Sequence, residues 1–474
     1  MTFCGDTPDW VKDAIFYQIF PDRFSNGDTT NDPPNVQVWG SSPTLHGFMG
    51  GDLQGIIANL DYLLDLGINA IYLNPIFPAS SVHRYNTYDY FAIDSRLGDL
   101  SIFERFLDLA HRHEIRVILD GVFNHSGRGF FQFHDILENG QNSPYRDWFH
   151  IYNPNLPLYA YDETHPPNYA CWWGFRSLPK FNTDNPQARR FLLSIPRYWG
   201  QFGIDGWRLD VPNEINDDTF WQEFRQVVKT INPQAYIVGE ISGDGSRWLK
   251  GDQFDGITHY RFRDICMDWI GYRKIDAATF AARITEVLAA YSPQVNLALL
   301  NLVGSHDTPR VLTAAGGDTR RARLAFVLLM TYPGAPCIYY GDEIGLSGGN
   351  DPDCRGAMIW DKGRWDQDTR NLVKQLVALR KSTFALRSGE LRFLLAEPGS
   401  SVCAYVRQRR DECIVIVLNA GSEPVKTVVP LNSLLAEGAN LTDVLSTGRY
   451  EVKDDQVDLG NVAACQGMIL RSAP

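Results

Sequence analysis

The sequence predicts an α/β protein: a (β/α)8 TIM barrel with a small domain inserted after its third strand, followed by a C-terminal antiparallel β-sandwich. From residue 14 to residue 380, short apolar runs alternate with amphipathic runs of helical period, as in a parallel barrel. An irregular stretch rich in Pro, Asn, Tyr and Trp interrupts this alternation between residues 124 and 183. Beyond residue 386 only short strand-like runs separated by Gly, Pro, Asn and Ser remain.

The predicted barrel is built from eight strands and the helices that follow them. The strands are expected at residues 14–20, 68–73, 115–122, 204–209, 235–240, 254–259, 296–303 and 335–340. The helices are expected at residues 53–66, 102–113, 185–202, 217–231, 276–291, 318–331 and 366–380. Pro196 predicts a kink in the helix at 185–202, and Asn216 or Asp217 is the expected N-cap of the next helix.

The breaks in this pattern set the domain boundaries. Residues 1–125 and 184–386 are expected to form the barrel, residues 126–183 the inserted domain and residues 387–474 the sandwich. An unstructured loop as long as the inserted stretch would be unusual in a compact domain, so we expect it to fold. The sandwich strands are expected at residues 391–396, 401–408, 412–420, 424–431, 440–445 and 467–472.

Composition and charge exclude several classes of protein. The net charge of -12 and the lack of a clustered Lys/Arg run argue against a nucleic-acid partner. No uncharged apolar stretch of about 18 residues occurs, so no membrane span is expected. Residues 1–14 lack the apolar segment of a signal peptide. The eight cysteines form no CxxC pair, which favours a reduced, cytoplasmic protein.

The segment IDGWRLDVPNE (204–214) places Arg208 and Asp210 at the end of the fourth strand. Residues two apart on a strand face the same way, so a guanidinium and a carboxylate project together from its carboxyl end. Parallel barrels carry their chemistry at that end. An arginine beside an aspartate keeps the carboxylate ionised, as a nucleophile requires. On this segment alone, an ion pair that only caps the strand is an equal alternative.

Polar residues follow other predicted strands, and all of them fall on the same rim of the barrel. They are His83 and Tyr85 after strand two, Asp120 and His125 at the end of strand three, Glu240 at the end of strand five, and His306 and Asp307 after strand seven. Singly, Asp120 could brace a loop and the histidines could be structural. Their convergence favours a catalytic site, because buried carboxylates are costly unless they are paired or used.

Two carboxylates on one rim suit glycoside hydrolysis. One, ionised by an arginine, acts as nucleophile, and the other keeps a raised pKa and acts as general acid and then base. Asp307 could hold sugar hydroxyls and stabilise positive charge on the ring. Tyr85 could stack under the sugar, and the histidines could strengthen their hydrogen bonds to it at the transition state.

Seven motifs resemble the α-amylase family, glycoside hydrolase family 13, over nearly the whole chain. They are DGVFNH (120–125), GWRLDVPNE (206–214), GEI (239–241) and VGSHD (303–307), with LPKFN (178–182), GGDLQGI (50–56) and GAPCIYYGDEIG (334–345). The resemblance implies that Asp210 is the nucleophile, Glu240 the acid/base and Asp307 the transition-state stabiliser, with retention of configuration. It implies substrate-binding roles for His83, Tyr85, Asp120, His125, Arg208, Asn213, Glu214, His306 and Arg310.

FYQIFPDRFSNGD (16–28), HRYNTYDY (83–90), LPKFN and VPNE (211–214) are similar to the neopullulanase, cyclomaltodextrinase and maltogenic amylase group. This group accepts α-1,4 and often α-1,6 bonds between glucoses, so an α-glucan or maltooligosaccharide is the implied partner. Asn213 and Glu214 stand where the first acceptor sugar would bind.

The sequence departs from this group in three ways. Strand one begins so early that the usual N-terminal β-domain is expected to be absent, so a homodimer would not be of the usual type. Ser242 follows GEI where the group typically has Trp, which removes one acceptor-side platform. Pro212 replaces Ala in the commoner VANE and stiffens that loop. Together these favour a debranching-type member with altered acceptor binding.

The resemblance also implies a structural calcium site. The loop NGDTTND (26–32) and the GGD motif place oxygen-bearing residues close together, as Ca²⁺ prefers. The implied ligands are Asn26, Asp28, Asn31, Asp32, Gly50 and Asp52. A polar turn without metal is the alternative that the residues alone favour.

Three functions remain open at this level. A hydrolase of mixed α-1,4 and α-1,6 specificity and a transglycosylase would use the same residues and the same covalent intermediate. They differ in acceptor binding, which loops decide. A non-catalytic glucan-binding protein is disfavoured, because Asp210, Glu240 and Asp307 are all in place.

Overall fold

The computed structural model describes residues 7–153, 155–156, 158 and 166–472. Cys4 and residues 154, 157 and 159–165 of the predicted inserted domain lie outside the described residues. Two eight-stranded sheets organise the described chain, one parallel and one antiparallel. The predicted barrel and the C-terminal antiparallel domain are thereby confirmed.

The parallel sheet closes into a barrel in the order β6-β5-β4-β3-β2-β1-β8-β7, and a parallel bridge between Thr258 and Leu300 joins its two ends. The strands are β1 Phe16–Ile19, β2 Ala70–Leu73, β3 Arg116–Gly121, β4 Gly206–Leu209, β5 Tyr236–Gly239, β6 Gly256–Ile257, β7 Leu300–Leu302 and β8 Ala335–Tyr339. Each is shorter than predicted, because the apolar runs continue into buried turns beyond the paired residues. An apolar run in the sequence indicates buried residues, whereas the bounds of a strand depend on which residues pair with a neighbouring strand.

Fourteen α-helices are found in the described residues. They are α1 Pro21–Phe24, α2 Leu53–Ala58, α3 Leu60–Leu66, α4 Leu100–Arg112, α5 Phe131–Asn139, α6 Pro186–Gly200, α7 Asp218–Ile231, α8 Tyr260–Cys266, α9 Ala277–Ala289, α10 Pro293–Asn296, α11 Val311–Ala314, α12 Thr319–Thr331, α13 Gln367–Ser382 and α14 Phe384–Ser388. None of these helices is long and apolar enough to cross a membrane.

Three features of the predicted helices can be compared with the structure: a break, a proline and an N-cap. The helix expected at 53–66 is two helices, because Asn59 leaves helical geometry with φ -116 and ψ 18. Pro196 lies within the continuous helix α6. Asp217 is the N-cap of α7, accepting a hydrogen bond from the Phe220 amide at 3.1 Å, as one of the two expected candidates. Helix α8, which brings Tyr260 to the rim, was not predicted.

The stretch between β3 and α6 folds around helix α5 and a set of isolated β-bridges. A bridge between His125 and Lys180 ties its end to the chain just after β3, and a bridge between Phe149 and Phe181 joins two parts of the stretch itself. Phe149 and Phe181 stack with ring centroids 5.0 Å apart, within a cluster of aromatic side chains. The many aromatics of this stretch therefore include a small core of their own, which holds it over the rim of the barrel.

The C-terminal strands pair antiparallel in the order β12-β15-β14-β13-β16-β11-β10-β9 around their own apolar core. They are β9 Glu390–Ala396, β10 Val402–Arg409, β11 Glu412–Asn419, β12 Val425–Pro430, β13 Asn440–Asp443, β14 Arg449–Lys453, β15 Gln456–Val462 and β16 Gly467–Ser472. Strands β14 and β15 were not predicted, because few of their residues are apolar. Asp454 and Asp455, both at positive φ, form the tight turn between them.

Candidate active site

The carboxyl ends of the barrel strands bring the predicted polar residues together around Arg208. Asp120 on β3 and Arg208 on β4 are register partners in the parallel ladder. Nη1 of Arg208 lies 2.8 Å from Asp120 Oδ1 and 3.1 Å from Asp210 Oδ1, and Nη2 lies 2.5 Å from Glu240 Oε1. The Arg208 side chain is 2% exposed. One buried guanidinium therefore contacts three carboxylates from three successive strands.

Asp120 lies beneath the site. Its side chain is 0% exposed, and its Oδ2 accepts hydrogen bonds from the hydroxyls of Tyr72 at 2.7 Å and Tyr85 at 2.9 Å. With Arg208 on Oδ1, its carboxylate is fully engaged with protein groups. The structure places it as a brace, the alternative that the sequence left open, rather than as a substrate contact.

Asp210 and Glu240 face each other across Arg208 with side chains 9% and 12% exposed. Burial raises the pKa of both carboxyls, and Arg208 opposes this. Arg208 lowers the pKa of Asp210, in the direction that the sequence predicts, but this guanidinium is divided among three carboxylates and the effect of burial is larger. Two such close groups titrate as a unit. The pair therefore holds a proton up to a higher pH than two exposed carboxyls would, as an acid and nucleophile pair requires.

Asp307 has a different environment. Its side chain is 40% exposed, and its Oδ2 lies 3.0 Å from His306 Nε2. Nη2 of Arg355 lies 3.1 Å from its Oδ1. Burial would raise the pKa of Asp307, but His306 and Arg355 hold it well below its usual value. Asp307 is therefore ionised and faces the cleft, whereas burial raises the pKa of both Asp210 and Glu240.

His306, Tyr85 and His83 form a stacked wall. The rings of Tyr85 and His306 lie 5.6 Å apart at 13°, and those of His83 and Tyr85 lie 5.8 Å apart at 26°. The Tyr85 hydroxyl contacts His306 Nε2 at 2.5 Å, and Gln18 Nε2 contacts His306 Nδ1 at 2.8 Å. Burial, followed by the charge of Arg355, lowers the pKa of His83 to about 3. His83 is thus a neutral hydrogen-bonding group.

Nε2 of His125 lies 4.0 Å from Asp210 Oδ2 and has no hydrogen-bond partner. Burial lowers its pKa to about 3. Its ring stacks on Trp172 at 5.7 Å, and Trp172 stacks on Trp173 at 4.7 Å. Trp173 is 76% exposed. An aromatic series therefore runs from beside Asp210 out to solvent, and a neutral His125 has Nε2 free for a sugar hydroxyl.

Asn213 and Glu214 lie in the short 3-10 turn Pro212–Glu214 that follows β4. The Lys180 ammonium of the inserted domain donates a hydrogen bond to the Glu214 carbonyl at 2.6 Å. This contact ties the LPKFN segment to the turn where the acceptor sugar is expected. Both residues are thus on the predicted rim, with Asn213 exposed.

Arg310 is not in the cleft, so its prediction as a substrate-binding residue was wrong. Its side chain is 0% exposed. Its Nη1 donates to the Tyr340 carbonyl at 2.6 Å and lies 2.8 Å from Asp342 Oδ1. The guanidinium also lies over the rings of Tyr339 and Tyr340. Arg310 braces the end of β8, a role that its position in the motif does not reveal.

The implied calcium ligands form one cluster, except for the Asp28 side chain. Asp32 accepts from Asn26 Nδ2 at 2.9 Å, and Asp52 accepts from the amides of Asp28 at 2.8 Å and Gly55 at 2.6 Å. The carboxylate of Asp28 instead turns to Thr30.

Two features of this cluster fit a cation. Oδ1 of Asn26 and Oδ1 of Asn31 are buried without a hydrogen-bond donor. A Cβ on Gly50 would meet Asp32 Oδ1 at 2.2 Å, so the backbone there lies against the cluster. Within the described part of the chain, no three His, Cys, Asp or Glu side chains are placed to hold a metal by themselves. Amide and main-chain oxygens would therefore have to complete a site, which Ca²⁺ accepts.

Three residues at the site were missed in the sequence. They are Arg355, which contacts Asp307, Tyr260, whose hydroxyl donates to Glu240 Oε1 at 3.3 Å, and Trp172, which stacks on His125. Tyr260 directly follows the sixth predicted strand, so the search for polar residues at strand ends that found Glu240 could also have found Tyr260. Arg355 and Trp172 lie in irregular loops, where no periodicity indicates which side chain points to the rim.

A closed parallel barrel with two buried carboxyls of raised pKa and a third ionised one at its carboxyl rim is the arrangement of a carboxylate glycosidase. The family described as alpha amylase, catalytic domain, matches residues 18–384, and neopullulanase-like, C-terminal domain, matches residues 398–464. The chain belongs to the α-amylase family.

Relatives and solved structures agree with this. A cyclomaltodextrinase of Geobacillus thermopakistaniensis is 47% identical over 94% of this chain and 74% of its own length. Cyclic α-maltosyl-(1→6)-maltose hydrolase from Arthrobacter globiformis is 40% identical with a TM-score of 0.89, over 99% of this chain and 100% of that one. The acarbose-soaked debranching enzyme of Nostoc punctiforme is 43% identical with a TM-score of 0.86, over 98% and 99% of the two chains.

Replacing Asp120 by Asn tests the three-carboxylate arrangement around Arg208. The charge of Asp120 raises the pKa of Asp210, so its removal should lower that pKa. We expect the acidic limb of the kcat/KM profile to move to lower pH, with kcat/KM falling about 10- to 100-fold because Arg208 and Tyr85 lose a buried partner. The measurement is kcat/KM against pH on a maltooligosaccharide. A limb that stays in place or moves to higher pH would contradict this electrostatic role.

Proposed function

We propose that this protein is a retaining α-glucan hydrolase that cleaves α-1,4 and also α-1,6 glucosidic bonds of maltooligosaccharides and branched or pullulan-type glucans. The observation that carries the proposal is the contact of one guanidinium with both Asp210 and Glu240. A shared arginine keeps the two carboxylates near one another, which favours the shorter separation of retaining enzymes, about 5–5.5 Å.

The proposed reaction has two steps. In the first, Glu240 gives its proton to the leaving oxygen while ionised Asp210 attacks the anomeric carbon, forming a glycosyl-enzyme ester and releasing the acceptor part of the glucan. In the second, Glu240 takes a proton from water, which attacks the same carbon and frees Asp210. Because Arg208 contacts both carboxylates, it can offset whichever of them is charged.

The remaining residues of the rim have supporting roles in this proposal. Ionised Asp307, with His306, holds hydroxyls of the sugar and stabilises its positive charge at the transition state. His125 and His83, both neutral, bind the same sugar, and Tyr85 supports it from below. Asn213 and Glu214 meet the acceptor sugar, whose α-1,4 or α-1,6 attachment decides which oxygen faces Glu240.

The α-1,6 part of the proposal is supported by the relatives' names and by the acceptor side. The Arthrobacter protein is named as a hydrolase of a cyclic α-1,6-linked maltosyl-maltose, and the Nostoc protein as a debranching enzyme. On the acceptor side, Ser242 is exposed and offers no ring to stack on an acceptor sugar. An open acceptor side tolerates more than one linkage.

Seven described cysteines are unpaired, as in a reducing compartment, so we also propose a cytoplasmic location. Six of these seven side chains are buried, which leaves little thiol at the surface. A homodimer stays a prediction.

Replacing Glu240 by Gln removes the transferable proton and keeps the shape of the side chain. We expect kcat on maltotriose to fall at least about 100-fold, while binding of an unreactive maltooligosaccharide persists. Glu286→Gln is the matched control, because its carboxylate is 73% exposed and pairs with Arg261 instead of Arg208, and it should retain activity within about tenfold. Near-normal hydrolysis by the Glu240 variant would rule out the assignment.

The products formed from pullulan test the linkage specificity. Panose would show cleavage of α-1,4 bonds, and maltotriose would show cleavage of α-1,6 bonds. We expect both products, because the open acceptor side should place either oxygen near Glu240. The measurement is chromatography of the digest against standards. Panose alone would remove the α-1,6 part of the proposal, and no product from pullulan or from branched maltooligosaccharides would remove the whole.

We propose a structural Ca²⁺ at Asn26, Asn31, Asp32, Asp52 and the backbone near Gly50. Calcium at 100 times its Kd should stabilise the fold by about 2.7 kcal/mol, so chelation should lower Tm and added Ca²⁺ should restore it. Asp32→Ala should abolish this response. The control Asp28→Ala should keep it, because that side chain turns to Thr30. A Tm independent of calcium in the unaltered protein would contradict the proposal.

A further inference from the structure

Val211, the residue directly after Asp210, has a backbone conformation that its side chain disfavours. Its φ of 35 and ψ of 50 lie in the left-handed region. Branching at Cβ makes that region costly for valine, and the following Pro212 restricts it further towards extended conformations. A strained residue beside a catalytic group persists only where its surroundings impose it.

The surroundings of Pro212 impose this turn. Pro212 is buried and packs against Gly239, where an added Cβ would lie 3.3 Å from Cγ of Pro212. The buried indole of Trp221 on α7 donates to the Pro212 carbonyl at 3.2 Å. The Glu214 amide donates to the Val211 carbonyl at 3.0 Å. The turn is thus held between β5 and α7.

The consequence of the turn is the direction of one amide. The Val211 N–H donates to Glu240 Oε2 at 3.1 Å. The other oxygen, Oε1, is held by Arg208 at 2.5 Å and by the Tyr260 hydroxyl at 3.3 Å. Both oxygens of this carboxyl are therefore fixed, and the amide is the partner that carries no charge and does not titrate.

We propose that Val211 and Pro212 form a positioning element for Glu240, in which the strained turn aims the Val211 amide at Oε2 and fixes the carboxyl against the reacting bond. This inference rests on the proposed function, in which Glu240 is the acid/base. An extended Val211 would turn its N–H in another direction. Strain in the turn is thus coupled to the placement of the proton donor.

The Val211 amide also affects the pKa of Glu240. A hydrogen bond from an N–H favours the ionised carboxylate, so it opposes the rise in the pKa of Glu240 that burial causes. The titratable or charged groups facing this carboxyl are Arg208, Asp210, Tyr260, His306 and Asp307. All of them would remain if the amide were removed, so the pKa of Glu240 would rise further.

Replacing the Val211 amide by an ester, with α-hydroxyisovaleric acid at that position, removes the donor and keeps the side chain. We expect the alkaline limb of kcat/KM, which reports the acid form of Glu240, to move up by about one pH unit. The control is the same amide-to-ester replacement at Ile102, whose amide donates to Asp99 Oδ1 at 2.9 Å. It removes an amide-to-carboxylate hydrogen bond without touching Glu240 or the turn at Pro212, and should leave the limb in place.

A second variant, Pro212→Gly, loosens the turn by ordinary mutagenesis, with Pro293→Gly at the start of α10 as its control. We expect the Pro212 variant to lose about tenfold in kcat on maltotriose, but much less on an aryl maltoside whose leaving group needs little protonation. Its alkaline limb should also move up. Equal losses of kcat on the two substrates would overturn the inference. So would an alkaline limb of kcat/KM that stays in place in both the Val211 ester and the Pro212→Gly variant. If Glu240→Gln stayed active, the proposed function itself would have failed.

Discussion

The site depends on the guanidinium of Arg208. It is almost fully buried and contacts Asp120, Asp210 and Glu240, so removing it would leave three carboxylates close together without a counter-charge. Such an arrangement would not remain both folded and ionised, because uncompensated buried charge is strongly destabilising. The barrel supplies the geometry. Adjacent parallel strands in register bring these four residues together without any long-range loop.

The loops then differentiate the three carboxylates of the cleft. Asp307 lies beside His306 and Arg355 and is held ionised, whereas Asp210 and Glu240 share Arg208 and have pKa values raised by burial. Glycoside hydrolysis uses both environments, since an ionised carboxylate stabilises positive charge on the sugar and a carboxyl of raised pKa can give a proton. Identical side chains thus take different roles because neighbouring loops present different charges.

Much of this site could be predicted from the sequence because strand ends are recognisable. The spacing of Arg208 and Asp210 on one short apolar run predicts that they project together, and the same rule finds Glu240 and Asp307. What could not be predicted is which groups compete for one cation. Asp120 was assigned to substrate, although register with Arg208 places it beneath the site, and Arg310 was assigned to the cleft, although Asp342 holds it in the interior.

Loops set the limit of prediction elsewhere in the chain. Arg355 and Trp172 reach the rim from irregular segments, and the β14–β15 hairpin has too little apolar alternation to be recognised as strands. In each of these places, tertiary contacts rather than local pattern decide the structure.

The central claim is that Asp210 forms a covalent bond to the sugar, while Glu240 donates a proton in the first step and accepts one in the second. The most direct measurement is to incubate the Glu240→Gln variant with α-maltotriosyl fluoride, whose fluoride leaves without acid assistance. The protein is then digested and its peptides are mapped by mass spectrometry. The account predicts a peptide carrying a maltotriosyl ester on Asp210. An adduct on another residue, or fluoride release with inverted product and no adduct, would contradict it.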